Sequence, residues 1–137
     1  MSDEKLRFDA HRWWRQAEDD LEAATALLNA GKHAQACFLA QQAGEKGIKA
    51  LWKLLDLDPW GHSIGRLLKE LPAPWRQELS ELVSSGLALD KLYIPTRYPD
   101  ALAELTPAEA FTAEEAEQAI HTAARMLIRI RSILDDA

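Results

Sequence analysis

The sequence predicts an all-α fold, an antiparallel four- to five-helix up-and-down bundle, and two observations carry that prediction. Alanine and leucine, at 23 and 21 copies, stand against one valine, Val83, a composition suited to helices and not to sheet. Apolar residues also recur at spacings of three and four through three long stretches joined by short breaks, as the buried faces of bundled helices do. At 137 residues, 1–137 makes one domain with a single core.

The first helix is expected over about residues 9–30, with Asp9 as N-cap and Trp14, Ala17, Leu21, Ala24 and Leu28 as the buried stripe. Gly31 ends it. Trp13 is adjacent to Trp14, so it points along a different radius and belongs on a flank.

The second helix, about 32–55, turns Cys37, Phe38, Gln41, Gly44, Ile48, Leu51 or Trp52, and Leu55 inward. Two small pairs, Ala40 with Gly44 and Ala43 with Gly47, sit four apart and allow another helix to approach closely. Each mid-helix glycine costs about 0.5–1 kcal/mol relative to alanine, so close packing or function must offset it. The opposite edge carries Gln42, Glu45, Lys46, Lys49 and Lys53, a net-positive strip. On spacing alone a solvated face with a weak Glu45–Lys49 pair is the simpler reading, and a ligand-binding strip is the other.

Pro59 and Gly61 break the chain, and Ser63 caps a short helix reaching residue 71, with His62 at its N-terminus. A fourth helix is expected from about Trp75, carrying Leu79, Leu82 and Val83 inward, bending or breaking at Gly86 and resuming through Leu89 and Leu92 to Tyr93. The last helix opens on a capping box of Thr112 and Glu115, with Phe111 as a hydrophobic staple, and Ala116, Ile120, Ala123, Leu127, Ile130 and Leu134 form its core stripe.

Residues 94–112 are a connection of a length that is usually functional or loosely ordered. Within "DKLYIPTRYPD" (90–100), Pro95 and Pro99 fix their own φ and push Ile94 and Tyr98 out of the helical region, so the turn is specified. Arg97 and Tyr98 offer a planar cation beside an aromatic face, suited to phosphate and to base stacking. The alternative is an Arg97–Asp100 pair that staples the loop, with Tyr93 and Tyr98 packed beneath it.

The net charge of −6 and a pI near 5.2 make indiscriminate nucleic-acid binding unfavourable, so any such contact is local. The start, "MSDEKLR", lacks an apolar signal core, and no apolar run approaches the roughly 18 residues of a membrane span. Cys37 has no disulfide partner in the chain, sits on an apolar face as a small core residue, and points to a reducing cytoplasm. Nothing in the pattern calls for a cofactor or a metal ion.

"HAQACFLAQQAGEKGIKALW", "GHSIGRLLKEL", "LDKLYIPTRYPDAL" and "FTAEEAEQAIHTAARMLIRI", in that order, resemble the HEPN family (higher eukaryotes and prokaryotes nucleotide-binding domain). The shared positions are Phe38, Gln42, Ala43, Glu45, Lys46, Lys49 and Ala50, then His62 and Ser63, then Tyr93, Arg97, Tyr98 and Pro99. The resemblance implies a helical bundle that commonly forms a homodimer and binds a nucleotide or RNA. It also implies work beside a minimal nucleotidyltransferase, as a toxin–antitoxin pair or as that enzyme's binding subunit. Many members are metal-independent ribonucleases in which an arginine is followed after four to six residues by a histidine. That motif is absent here: none of His11, His33, His62 or His121 has an arginine at the required distance before it. The expected ligand-binding set is Gln42, Glu45, Lys46, Lys49, Arg97, Tyr98 and Asp100, with His62 and Tyr93 accessory. The alternatives are a ribonuclease built on Arg97 and His62, and a non-catalytic dimeric interaction module.

Overall fold

Ser2 starts the first helix, one full turn and more ahead of the expected Asp9, because its hydroxyl accepts the Lys5 backbone N–H at 3.2 Å. Asp9 lies inside a run of good helix formers and instead makes surface pairs with Lys5 and Arg12, at 4.0 and 3.3 Å. In the computed structural model, which describes residues 2–136, this helix is α1, Asp3–Asn29. Gly31, at φ 77°, closes it: its N–H donates to the Leu28 carbonyl and that of Lys32 to Leu27, so two orphan carbonyls are satisfied at the turn.

Six further helices follow among the described residues: α2 His33–Leu54, α3 Ile64–Lys69, α4 Trp75–Glu78, α5 Val83–Asp90, α6 Pro107–Ala110 and α7 Ala113–Asp136. The three long ones form the frame of an all-α bundle. The Trp14 indole donates to the Leu127 carbonyl at 3.2 Å and His11 faces Asp135 at 3.9 Å, so α1 and α7 run antiparallel. Gly47 abuts Leu127 and Ile130, and Cys37 lies toward Glu115, so α7 runs the same way as α2. The short helices between them return the chain and cover the far flank of α2.

The expected close approach at the α2 glycines is present. A Cβ on Gly44 would lie 2.9 Å from Leu89 and 3.1 Å from Ile64, and one on Gly47 would collide with Leu127. Cys37 is fully buried at this face, and burial, with a smaller contribution from the nearby Glu115 carboxylate, pushes its thiol up to about 11.

The fourth helix breaks earlier than expected. Residues Ser80–Leu82 form a 3-10 turn, and Gly86 sits inside α5, where a Cβ would lie 3.2 Å from the Gly65 backbone nitrogen. The glycine therefore permits helix contact and marks neither a bend nor a break. The helix stops at Asp90, three residues short of Tyr93, and gives way to turns ahead of Pro95, and the Asp90 carboxylate caps α3. It accepts from Ser63 Oγ at 2.7 Å, Ile64 N at 2.6 Å and Gly65 N at 3.1 Å. Ser63 in turn caps Arg66 N at 3.1 Å, as expected.

The connection after Asp90 is more ordered than its length suggests. It contains a 3-10 turn at Pro99–Ala101 and helix α6, which opens on its own capping box of Thr106 and Glu109. The expected Thr112–Glu115 box is formed, with Thr112 N to Glu115 Oε1 at 3.0 Å and Glu115 N to Thr112 Oγ1 at 3.2 Å. Among the described residues no helix is long and apolar enough to cross a membrane.

Candidate functional site

The polar edge of α2 is not a solvated face. Glu45 and Lys49 are only 5% and 9% exposed, because the turn before α3 and the turns after α5 fold over them. A buried carboxylate is tolerated when its lone pairs are used. Glu45 Oε2 lies 3.1 Å from Lys49 Nζ and 3.3 Å from His62 Nδ1, and Oε1 accepts from Gln41 Nε2 at 3.2 Å. Gln42 extends the chain by donating to Gln41 Oε1 at 2.8 Å. Glu45 thus has partners on three sides and anchors His62.

His62 stacks on Tyr93, with ring centroids 4.7 Å apart and planes inclined by 18°. The Arg97 guanidinium lies 4.6 Å from the centroid of the same tyrosine ring, 4.5 Å from that of Phe38 and 5.0 Å from that of Tyr98. Its Nε donates to the Tyr93 carbonyl at 2.9 Å, which fixes the plane and leaves the terminal nitrogens for an incoming acceptor. Local sequence explains the arrangement. Tyr98 precedes Pro99 and adopts φ −121°, ψ 124°, as steric exclusion from the helical region requires, and this carries its ring clear of the bundle, half exposed.

The Arg97–Asp100 pair of the alternative reading is not formed: among the described residues no Asp or Glu lies within ion-pair distance of Arg97, and Asp100 is exposed, beside Leu102, Glu104 and Leu105. Arg97 is held by rings and a carbonyl, so its charge is not neutralised by a carboxylate.

Lys46 is also not brought to Arg97. One residue on from Glu45 it points about 100° around the helix, and its ammonium pairs with Asp20 of α1. There it lines a groove with Arg12, Trp13, Arg15 and Gln16. The expected set therefore divides. Gln42, Glu45, Lys49, His62, Tyr93, Arg97 and Tyr98 form one connected cluster, Lys46 belongs to a second, and Asp100 to neither. Phe38 and Gln41 are members of the first cluster that the sequence reading left in the core stripe. Gln41 was visible as a polar residue on an apolar stripe, whereas nothing local distinguishes Phe38 from a core phenylalanine. Among the described residues no group of three or more His, Cys, Asp or Glu is placed to hold a metal ion.

Fold and site together define a helical bundle that displays an arginine on an aromatic platform, backed by a buried carboxylate and a histidine. A sequence model of the HEPN domain matches residues 10–133, and the chain belongs to that family. The crystal structure of TT1696 from Thermus thermophilus is 40% identical and superposes with a TM-score of 0.84 over 90% of this chain and 96% of that one. ST0689, described as an archaeal HEPN homologue, is 35% identical with a TM-score of 0.76, covering 91% of this chain and 97% of its own. A HEPN domain protein of Thermotoga maritima, tm0613, is 30% identical with a TM-score of 0.69 over 93% and 100% of the two chains. A protein of Methanocaldococcus jannaschii named "Putative toxin MJ1304" is 27% identical over 130 residues, 89% of this chain and 86% of that protein.

Proposed function

We propose that this HEPN-domain protein binds a nucleotide or an RNA end on the Arg97 platform, as the binding subunit of a toxin–antitoxin-like pair with a minimal nucleotidyltransferase. The observation that carries the reading is the state of Arg97: a guanidinium ringed by three aromatic side chains, without a carboxylate partner among the described residues, on a chain of net charge −6. A phosphate would take the terminal nitrogens of Arg97, and a base would stack on the exposed Tyr98 ring. Gln42, at the rim of the same cluster, supplies a polar side chain for a base or ribose edge. The toxin name of the M. jannaschii relative supports the pairing. A homodimer would place two platforms in one assembly. Titration of the purified protein with AMP, beside Arg97→Ala and Arg97→Lys, tests the reading. Loss of binding in both variants supports it, because an ammonium cannot reproduce the stacked plane, and wild-type affinity in Arg97→Ala overturns it. Static light scattering gives the dimer, and co-purification with a co-expressed minimal nucleotidyltransferase gives the partner.

A second reading, a metal-independent ribonuclease, is favoured by one observation: His62 and Arg97 share the Tyr93 ring, and Glu45 lies at Nδ1 of His62. A carboxylate there favours the Nδ1–H tautomer and leaves Nε2 free to accept a proton. Cleavage of single-stranded RNA that disappears in His62→Ala supports this reading, and equal cleavage by both proteins removes it.

A further inference from the structure

The groove between α1 and α2 is unused by the Arg97 platform and lies across the polar edge of α2 from it. Its walls are Arg12, Trp13, Arg15 and Gln16 from α1 and Lys46 from α2, enclosing about 570 Å³. Lys53, about two turns beyond Lys46, sits over the Trp13 ring at 5.6 Å. The carboxylates paired with the groove's cations are Asp9, 3.3 Å from Arg12, and Asp20, which pairs with Lys46 and accepts from Gln16 at 2.9 Å, while Lys53 lines the neighbouring hollow with Asp9, Asp56 and Asp58.

Two features set this groove apart from an ordinary charged surface. Asp20 is 8% exposed and stands where α1 otherwise turns alanine and tryptophan inward, so the Lys46 ammonium is tethered from beneath by a desolvated partner. Arg15, by contrast, is exposed and makes no ion pair among the described residues, and Arg12 is exposed and shared only with Asp9. In the groove itself three cations, Arg12, Arg15 and Lys46, face two carboxylates, Asp9 and Asp20, which leaves Arg15 as the cation without a partner among the described residues. An unpaired guanidinium, a second shared with one carboxylate, a tethered ammonium and an aromatic wall together suit a phosphate group.

We propose that the α1/α2 groove is a second anion site, which takes phosphate groups through Arg12, Arg15 and Lys46. The site is independent of the Arg97 platform. A strand held at both would cross α2, a helix about 10–12 Å wide with its side chains.

The test uses the full chain, a fluorescein-labelled single-stranded RNA decamer and a salt series. Arg12→Ala/Arg15→Ala is expected to weaken decamer binding at least tenfold at low salt. It should also lower the slope of log affinity against log salt by about 1.4, the value for two lost phosphate contacts on a single strand. AMP affinity should not change, Arg12→Lys/Arg15→Lys should keep most of the decamer affinity, and the thermal midpoint should stay at the wild-type value since both arginines are exposed. Displacement of the decamer by inorganic tripolyphosphate would assign the groove to phosphate chains in general, and failure to displace it, with the arginine effect intact, would assign it to a nucleic-acid strand. Wild-type decamer affinity and salt slope in the double alanine variant would overturn the proposal. AMP binding that ignores Arg97→Ala would remove the platform and leave the groove standing.

Discussion

The two sides of α2 use opposite means to bury the same helix. Toward α7, α3 and α5 it presents Ala40, Ala43, Gly44 and Gly47, and neighbouring leucine and isoleucine side chains close directly onto the backbone. Toward the loops it presents Gln41, Glu45 and Lys49, and burial there is sustained by hydrogen bonds and charge pairing that reach His62. The apolar side is filled by shape, so its cost of disruption scales with volume. The polar side is balanced by partners, so its cost depends on whether one partner is left behind.

Removing one partner is the largest expected disruption. Glu45→Ala strands the Lys49 ammonium in a 9%-exposed site and should lower unfolding stability by about 3 kcal/mol in urea titration. Glu45→Gln/Lys49→Met, which removes both charges, should recover most of that loss. On the apolar side, Gly47→Val drives a branched side chain into Leu127 and should cost about 2 kcal/mol. If the two single changes cost the same and the double change recovers nothing, the two sides do not differ in kind.

A smaller effect comes from Cys37. Its thiol ionises near 11 in the folded protein and near 9.0 when unfolded, so above about pH 9 the unfolded chain loses its proton first. Stability then falls as pH rises, on the order of 1 kcal/mol between about pH 8 and about pH 10. Cys37→Ala should remove that part of the slope, measured by urea midpoints across the range. The smallest effect is stabilising. Asp56 ends α2 at φ 58°, with Leu57 N donating to the Trp52 carbonyl at 3.0 Å, the role Gly31 fills for α1. Asp56→Gly should raise stability by about 0.5–1 kcal/mol, read as a higher thermal midpoint.

Much of the fold was legible from periodicity and capping, because both are local. The stripe of α7, the Thr112–Glu115 box, the Ser63 cap and the close approach at Gly44 and Gly47 all follow from residues within a few positions of one another. The break at residues 79–82 was not legible, since Gly86 looks like a bend until α3 is packed against it. The site was legible in parts. Residues 93–99 announce a specified turn through their prolines, but that Glu45 turns to His62 while Lys46 turns to Asp20 depends on which elements cover the two flanks of α2. Spacings of three and four place side chains on one strip and do not say what lies over its edges. Asp20 was the unread signal: a carboxylate among the inward positions of α1 marks a buried partner elsewhere.

The central claim is that Arg97, held flat by Phe38, Tyr93 and Tyr98, is an anion-binding group and not a loop staple. Isothermal titration with AMP measures it most directly. Saturable one-site binding by the wild-type protein that is lost in Arg97→Ala, with the unfolding midpoint unchanged, is the predicted result. A variant that binds AMP normally but unfolds at markedly lower denaturant would show that the arginine only holds the loop in place.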